Sequence, residues 1–418
     1  MTTYEITPPA NLEAHINLPA SKSISNRALI IHALGGGELP VNLSDCDDTH
    51  AVINALSDMP ETIDVGAAGT AMRFLTAYLS VIQGEHTITG SERMLRRPIG
   101  ALVDALRMLG ATIDYVGEEG FPPLRISGHP LLGGRLEIPG NVSSQFISAL
   151  LLIAPVTLQG LTLHLTGEIV SRPYIDLTIH VMHGFGADVD WASPNIIEVK
   201  PKPYSGSAYL IENDWSASSY WYEMASFYPI GKVHVSMDGL EDSSRQGDSV
   251  VKYIFSLLGV RTTFAKTHSG KLTTVNLSRH FEPVLQLTYN FINCPDLAQT
   301  VIATCCGLGV PFHFTGLASL RIKETDRLAA MRRELHKLGF NIQIINDTEM
   351  QWDGKQHEAT MEPIDTYEDH RMAMAMAPLS INIPGLRINH PEVVSKSYPT
   401  FWKDLREVGF KIKEVWSA

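Results

Sequence analysis

Residues Arg321–Ile344 read RIKETDRLAAMRRELHKLGFNIQI, and this stretch holds both a candidate site and the unit from which the fold is built. Its first seven residues pack three cations and two carboxylates together. Leu328, Met331, Leu335 and Leu338 then recur at helical spacing, and Gly339 is placed as the C-terminal stop. The alternation of Phe340-Asn-Ile-Gln-Ile344 predicts a strand directly after it. The charged run therefore sits at a helix N-terminus, where free N–H groups and the positive dipole end favour anions. Lys323 and Arg327 would bind an anion there, and Glu324 among them could move a proton.

The pattern of helix, apolar residue, Gly and strand recurs. Leu109-Gly110, Phe185-Gly186, Leu258-Gly259, Leu338-Gly339 and Val408-Gly409 are separated by 76, 73, 80 and 70 residues from glycine to glycine. Each Gly suits a helix C′ position in the left-handed conformation. A sixth, weaker copy is the helix-like Ala51–Leu56 followed by Met59-Pro60, without the Gly. Chance helix stops do not keep such a stride. Six units divide into two halves, and 418 residues predict two domains of about 200 residues each. Each unit also has a second helix starting after small polar residues, at Ser21-Lys22-Ser23, Gly69-Thr70, Ser143-Ser144-Gln145, Ser216-Ala217-Ser218 and Pro295-Asp296, where backbone donors are left exposed.

Apolar residues make up 44% and charged residues 19% of the chain, the composition of a soluble globular protein and not of a disordered or fibrous one. The net charge of −12 argues against a nucleic-acid or anionic-membrane surface, yet a local basic cleft can still focus small anions. Met1–Ala20 lacks the basic start and apolar core of a signal peptide, and no window approaches 18 uninterrupted apolar residues, so a cytoplasmic location is expected. Cys46, Cys294, Cys305 and Cys306 show no metal-ligand spacing and read as buried thiols in a reducing compartment. No metal and no cofactor are expected.

Other cationic helix starts accompany the first. Ser-Lys-Ser-Ile-Ser-Asn-Arg (21–27) crowds Lys22, Ser23 and Arg27 before an apolar run. Gly66 and Gly69 precede a helix carrying Arg73. Arg96-Arg97-Pro98 opens another helix, with Pro98 fixing φ at its first position. Asn141-Val-Ser-Ser-Gln-Phe146 supplies hydroxyls and an amide. Ser171-Arg-Pro-Tyr174 adds a hydroxyl and a phenol. Tyr367-Glu-Asp-His-Arg371 and Ser395-Lys396 complete the set. Asp296 follows Cys294-Pro295 in apolar surroundings, where desolvation would raise its pKa. Lys22, Arg27, Arg73, Arg97, Lys323, Arg327, Arg371 and Lys396 are eight cations at segment starts in an acidic protein. They suit two anionic small substrates bearing carboxylate and phosphate.

SKSISNR (21–27), GTAMR (69–73), RRPI (96–99), SSQF (143–146), SRPYID (171–176), CPD (294–296), RIKETDR (321–327), DHRMAM (369–374) and SKSYP (395–399) fall in the order of a known family. In these motifs the chain resembles, essentially end to end, the EPSP synthases (3-phosphoshikimate 1-carboxyvinyltransferases) of the enolpyruvyl transferases. The resemblance implies a two-domain α/β fold of six βαβαββ-like units, three per domain, with the active site in the interdomain cleft. The chain crosses near Pro19–Lys22 and Glu212–Ser216. One domain is then 1–20 plus 214–418 and the other 21–213.

The implied reaction moves the enolpyruvyl group of phosphoenolpyruvate to the 5-hydroxyl of shikimate 3-phosphate, the sixth step of the shikimate pathway. By resemblance, shikimate 3-phosphate is bound by Lys22, Ser23, Arg27, Ser143, Ser144, Gln145, Ser171, Tyr174, Ser319 and Lys323, with Asp296 accepting the 5-hydroxyl proton. Phosphoenolpyruvate falls to Lys22, Gly69, Arg73, Arg97, Gln145, Arg327, His370, Arg371 and Lys396. Glu324 is the proton donor to the methylene carbon, and Lys22 is counted with the catalytic groups. A monomer without nucleic-acid or membrane partners is expected.

The chain departs from the family pattern at Ala67, where Asn is usual, at Phe74, where Pro is common, and at Ser319, where an Asn often contacts phosphate. Ala67 and Phe74 are expected to alter sensitivity to glyphosate, which competes with phosphoenolpyruvate. Trp215, Tyr220, Trp221 and Tyr222 near the second crossing are also unusual. The related UDP-N-acetylglucosamine enolpyruvyl transferases usually carry a reactive Cys in a mobile loop, and no Cys lies between Cys46 and Cys294. A noncatalytic anion-binding relative is the other alternative, and loss of the cations, Asp296 or Glu324 would mark it.

Overall fold

The computed structural model describes residues 2–266 and 272–416. The chain forms two compact units, Ala20–Ile211 and Met1–Pro19 with Glu212–Ala418. Each has its own apolar core.

In the 20–211 unit, strand Thr62–Asp64, helix Gly69–Val81, strand Gly84–Thr89, helix Gly100–Met108 and strands Thr112–Tyr115 and Leu124–Gly128 form one βαβαββ module. The first two strands pair in parallel and the rest antiparallel, in the spatial order first, second, fourth, third. Strands Gly134–Pro139, Leu161–Thr166, Val189–Ser193 and Ile196–Val199, with helices Ser144–Ile153 and Arg172–Gly184, repeat that order.

The other unit holds three more copies. Leu12–Asn17 pairs in parallel with Val233–Leu240, which leads to the hairpin Val260–Lys266 and Thr273–Arg279. Leu287–Asn290, Phe312–Thr315, Gln343–Ile345 and Glu349–Trp352 form the second sheet. In the third, Thr2–Thr7 lies between Arg387–Asn389 and Lys411–Trp416, and a parallel bridge from Ile364 to Ile388 stands for the first strand. Two N-terminal strands thus complete sheets whose other strands lie more than 200 residues downstream.

The five glycines of the repeat all have left-handed φ, from 78° at Gly186 to 101° at Gly110, each just beyond the second helix of its module. The sixth copy differs from the expected unit. Helices Lys22–Gly35 and Asp47–Asp58 are present, but only a parallel bridge between Val41 and Leu210 stands for its sheet. The hairpin is missing because Met59-Pro60-Glu61 runs straight into strand Thr62–Asp64. Met59 still takes the left-handed cap, at φ 41°, without the steric relief of Gly.

Two kinds of helix result. The first helix of each module is buried nearly all round, as in Gly69–Val81, Ser144–Ile153, Trp215–Phe227, Ala298–Leu308 and His370–Met376. The second helix is amphipathic, as in Arg327–Lys337, where Leu328, Ala330, Met331 and Leu335 face inward. Burial of the first helices leaves their N-termini as the places where polar side chains gather. Among the described residues no helix is long and apolar enough to cross a membrane. All four cysteines are buried free thiols.

Candidate active site

In the 212–416 unit the charged run divides. Arg321 turns to Asp326 at 3.1 Å and to Asp347, and Asp326 caps helix Arg327–Lys337 by accepting from the Ala329 amide. Lys323, Glu324 and Arg327 enter a cluster with Asp296, Asp369, Arg371 and Lys396.

Arg327 is its hub. Its Nε donates to Asp369 Oδ2 at 2.7 Å, one terminal nitrogen to Asp296 Oδ1 at 3.1 Å, and the other to Glu324 Oε2 at 2.9 Å. Arg371 donates to Asp296 Oδ2 at 3.1 Å and to its carbonyl at 3.2 Å. Lys323 Nζ lies 3.5 Å from Asp296, and Lys396 Nζ lies 3.0 Å from Glu324. Asp369, wholly buried, caps helix His370–Met376 through the Arg371 amide at 2.9 Å. Four cations thus face three carboxylates on four chain segments.

The electrostatics of Asp296 reverse the sequence expectation. Burial does work to raise its carboxyl, but Arg371, Lys323 and Arg327 outweigh it and hold the group well below the usual carboxylate range, against the opposing charge of Glu324. Burial likewise pulls Arg327 down, while Asp369, Glu324 and Asp296 push it above its ordinary value. Asp296 is therefore ionised in this cluster and stays a weak base until its cations are drawn away. Tyr220 lies beneath, its hydroxyl 3.5 Å from Arg371 and pushed up to about 12 by burial, with Arg371 and Arg327 opposing.

The 20–211 unit gathers a second set. Arg27, buried, donates to the Ser23 carbonyl at 2.7 Å, to Thr178 Oγ1 at 2.7 Å, to Ser148 Oγ at 3.2 Å and to the Tyr174 carbonyl at 3.3 Å. Three helices are tied together by one guanidinium. None of these partners is a carboxylate, and burial lowers the group to about 10, with Tyr174 opposing. The Phe74 ring lies 5.3 Å from the same guanidinium. Lys22 reaches Asp48 at 3.0 Å. Ser143 caps helix Ser144–Ile153 by accepting from the Gln145 amide, leaving Ser144 and Gln145 in the first turn. Ser171 holds a left-handed conformation at the start of Arg172–Gly184, with Tyr174 one turn on.

Arg97 stands out. It is 6% exposed, and its guanidinium has no hydrogen-bond or ion-pair partner among the described residues. It rests on the N-terminus of helix Gly69–Val81, where a Cβ at Gly69 would lie 2.8 Å from both terminal nitrogens. A buried cation without a partner at a helix N-terminus has the chemistry to hold an anion. Arg73 points elsewhere, donating to the Gly69 and Pro98 carbonyls at 3.3 and 3.2 Å, and so clamps the Arg97 segment onto that helix.

Lys323, Glu324, Arg327, Asp296, Arg371 and Lys396 therefore come together in one unit. Lys22, Ser23, Arg27, Ser143, Ser144, Gln145, Ser171, Tyr174, Gly69, Arg73 and Arg97 belong to the other. His370 is buried, its Nδ1 3.8 Å from Asp369 Oδ1. Ser319 is half-buried in the 3-10 helix Ala318–Ile322, and its hydroxyl joins no hydrogen bond among the described residues. Sequence reasoning missed Asp48, Asp369 and Tyr220. Asp369 carried a signal as an acid directly before a helix start that also bears two basic residues, and Tyr220 stood out as one of the unusual aromatics near the second crossing, but Asp48 carried none.

Comparison with known proteins identifies the fold and the family. The fold is that of the enolpyruvyl transferases. An EPSP synthase from Acinetobacter baumannii superposes with a TM-score of 0.78 at 21% identity, covering all of both chains. The enolpyruvyl transferase NikO from Streptomyces tendae gives 0.72 at 15% identity, covering 100% of this chain and 99% of that one. The family model described as EPSP synthase (3-phosphoshikimate 1-carboxyvinyltransferase) matches residues 6–64 and 58–405. A 3-phosphoshikimate 1-carboxyvinyltransferase of Bacteroides fragilis is 54% identical over 412 residues, 98% of each chain. One of Sulfurovum sp. is 34% identical over 448 residues, covering 98% of this chain and 99% of its own. The chain belongs to the EPSP synthase family.

Proposed function

We propose that this enzyme transfers the enolpyruvyl group of phosphoenolpyruvate to the 5-hydroxyl of shikimate 3-phosphate, releasing phosphate. The observation that carries the reading is the cluster around Arg327, in which two carboxylates fit for proton transfer are held by cations fit for phosphate and carboxylate. Arg327, Arg371 and Lys396, with Arg97 over the Gly69 helix start, take phosphoenolpyruvate, sharing Lys22 and Gln145. Ser23, Arg27, Ser143, Ser144, Ser171, Tyr174 and Lys323 take shikimate 3-phosphate.

Substrate anions then compete with Asp296 and Glu324 for the same cations. As Arg371, Arg327 and Lys323 turn to substrate, Asp296 loses the charges that depress it and becomes basic enough to accept the 5-hydroxyl proton. Glu324 protonates the methylene carbon while the 5-oxygen attacks C2, giving a tetrahedral intermediate. Return of a methyl proton and departure of phosphate complete the transfer. The fixed cations stabilise the charge redistribution without reorganising. The protein acts as a monomer in the cytoplasm, where four free thiols persist.

Purified protein is expected to release phosphate only with both substrates present, not with UDP-N-acetylglucosamine, and to lose that release in Lys22→Ala. Phosphate release with either substrate alone, or none with both, would defeat the assignment. Gly69→Ala tests the Arg97 site. The added methyl collides with the guanidinium, so KM for phosphoenolpyruvate should rise about tenfold or more, with KM for shikimate 3-phosphate little changed. Equal effects on both substrates would dissociate Arg97 from phosphoenolpyruvate. Phe74→Pro removes the ring facing Arg27, and a glyphosate inhibition curve unmoved by it would remove Phe74 from the determinants of sensitivity.

A further inference from the structure

The unusual aromatic residues of helix Trp215–Phe227 are left unexplained by a substrate-binding role, since Trp215, Tyr220, Trp221 and Tyr222 are all at most 1% exposed. Two of them reach the segments that carry the cations. The Tyr220 hydroxyl meets Arg371 at 3.5 Å. Trp221 Nε1 donates to the hydroxyl of Tyr398 at 3.2 Å, and Tyr398 lies two residues beyond Lys396. The Tyr398 hydroxyl donates onward to Asp404, which also accepts from Thr400 at 2.9 Å. The Tyr398 amide closes the turn by donating to the Val394 carbonyl at 2.8 Å.

The rings reinforce these bonds. Phe401 packs edge-on against both Tyr220 and Tyr398, at centroid distances of 5.9 and 5.6 Å. The Lys396 turn is thus fixed at its core side by a buried donor–acceptor relay, while Lys396 Nζ extends to Glu324. Tyr222, on another side of the same helix, bonds Thr262 at 2.9 Å and packs at a tilt against Phe255, away from both cations.

We propose that Tyr220, Trp221 and Tyr398 are positioning residues that set Arg371 and Lys396 in register with one another from a single buried helix. The inference rests on the reading of those cations as phosphoenolpyruvate ligands. A long, flexible lysine at a turn needs its backbone fixed if its ammonium is to meet a substrate anion at a defined point, because a displacement of about 1 Å is costly to a preorganised site. The Trp221–Tyr398 bond supplies that constraint where water cannot compete.

Tyr398→Phe deletes one hydroxyl and keeps the ring, and Trp221→Phe deletes the donor. Each is expected to raise KM for phosphoenolpyruvate about fivefold to tenfold while leaving KM for shikimate 3-phosphate within twofold. The double variant should be no worse than the more impaired single one, as for two ends of one bond. Tyr222→Phe, which removes a buried hydrogen bond of the same helix, should lower the thermal midpoint comparably and leave both KM values unchanged. If Tyr398→Phe leaves KM for phosphoenolpyruvate unmoved, or if both KM values rise together in Tyr398→Phe and Tyr222→Phe alike, the relay is only structural and the proposal fails. Wild-type enzyme that releases no phosphate with both substrates would instead defeat the underlying assignment.

Discussion

Arg327→Met is expected to lower the free energy of unfolding by roughly 3–5 kcal/mol and to abolish turnover, a larger loss than any other single cation of the cluster should cause. Its guanidinium serves Asp369, Asp296 and Glu324 at once. Arg371 and Lys323 still face Asp296, and Lys396 still faces Glu324, when it is gone. Asp369 keeps the Arg371 amide and the nearby His370, but a fully buried carboxylate loses its guanidinium partner. Arg327→Lys should recover little, because one ammonium cannot reproduce a fork that bonds three carboxylates.

The pH dependence separates this cause from lost packing. Asp296 is held below its ordinary value of 3.8 in the folded protein, chiefly by cations that overcome burial. Its contribution to stability is present above that value and is lost as pH falls through the lower folded pKa. Removing Arg327 weakens the depression. Denaturant midpoints of variant and wild type should therefore differ most above about pH 5 and converge in acid. A difference constant with pH would assign the loss to packing instead.

How much of this was legible depended on whether the determinant was local. The Gly stride was readable because each αL cap needs Gly within the segment it ends, and Gly110, Gly186, Gly259, Gly339 and Gly409 all adopt it. Met59 shows the limit of that signal, since a left-handed cap without Gly leaves no mark. The missing hairpin of the sixth module was equally silent, because Val41 and Leu210 carry no sign of how few strands join them. Cations at helix starts could be found in sequence, but their partners could not. Arg327 meets residues 31 and 42 positions away, and Arg371 meets one 75 away. The sign of the Asp296 shift follows from those distant pairings. Burial alone, the part a sequence suggests, gives the wrong direction.

Glu223→Met is expected to stabilise the protein, by of the order of 1–3 kcal/mol at neutral pH, without changing either KM. Glu223 is completely buried on helix Trp215–Phe227, and neither carboxylate oxygen has a hydrogen-bond partner among the described residues. Burial raises its pKa well above the ordinary 4.5, so the folded chain holds a proton that the unfolded chain releases. Stability contributed by this site is then greatest below about pH 4.5 and falls as pH rises toward the folded value, the reverse of Asp296. The advantage of the Met variant should accordingly grow from pH 5 to pH 8, as read from denaturant midpoints. An advantage that shrinks with pH would mean the carboxyl is ionised and paired in solution. Gln299, on the helix packed against it, also has both amide atoms unpartnered among the described residues. If the two side chains exchange bonds in solution, Gln299→Leu should cost stability in the wild type and none in the Glu223→Met background. Additive effects would instead make each an independent burden on the helix that carries Tyr220 and Trp221. In that case the tolerance of such a burden is a property of the core and not of the site above it.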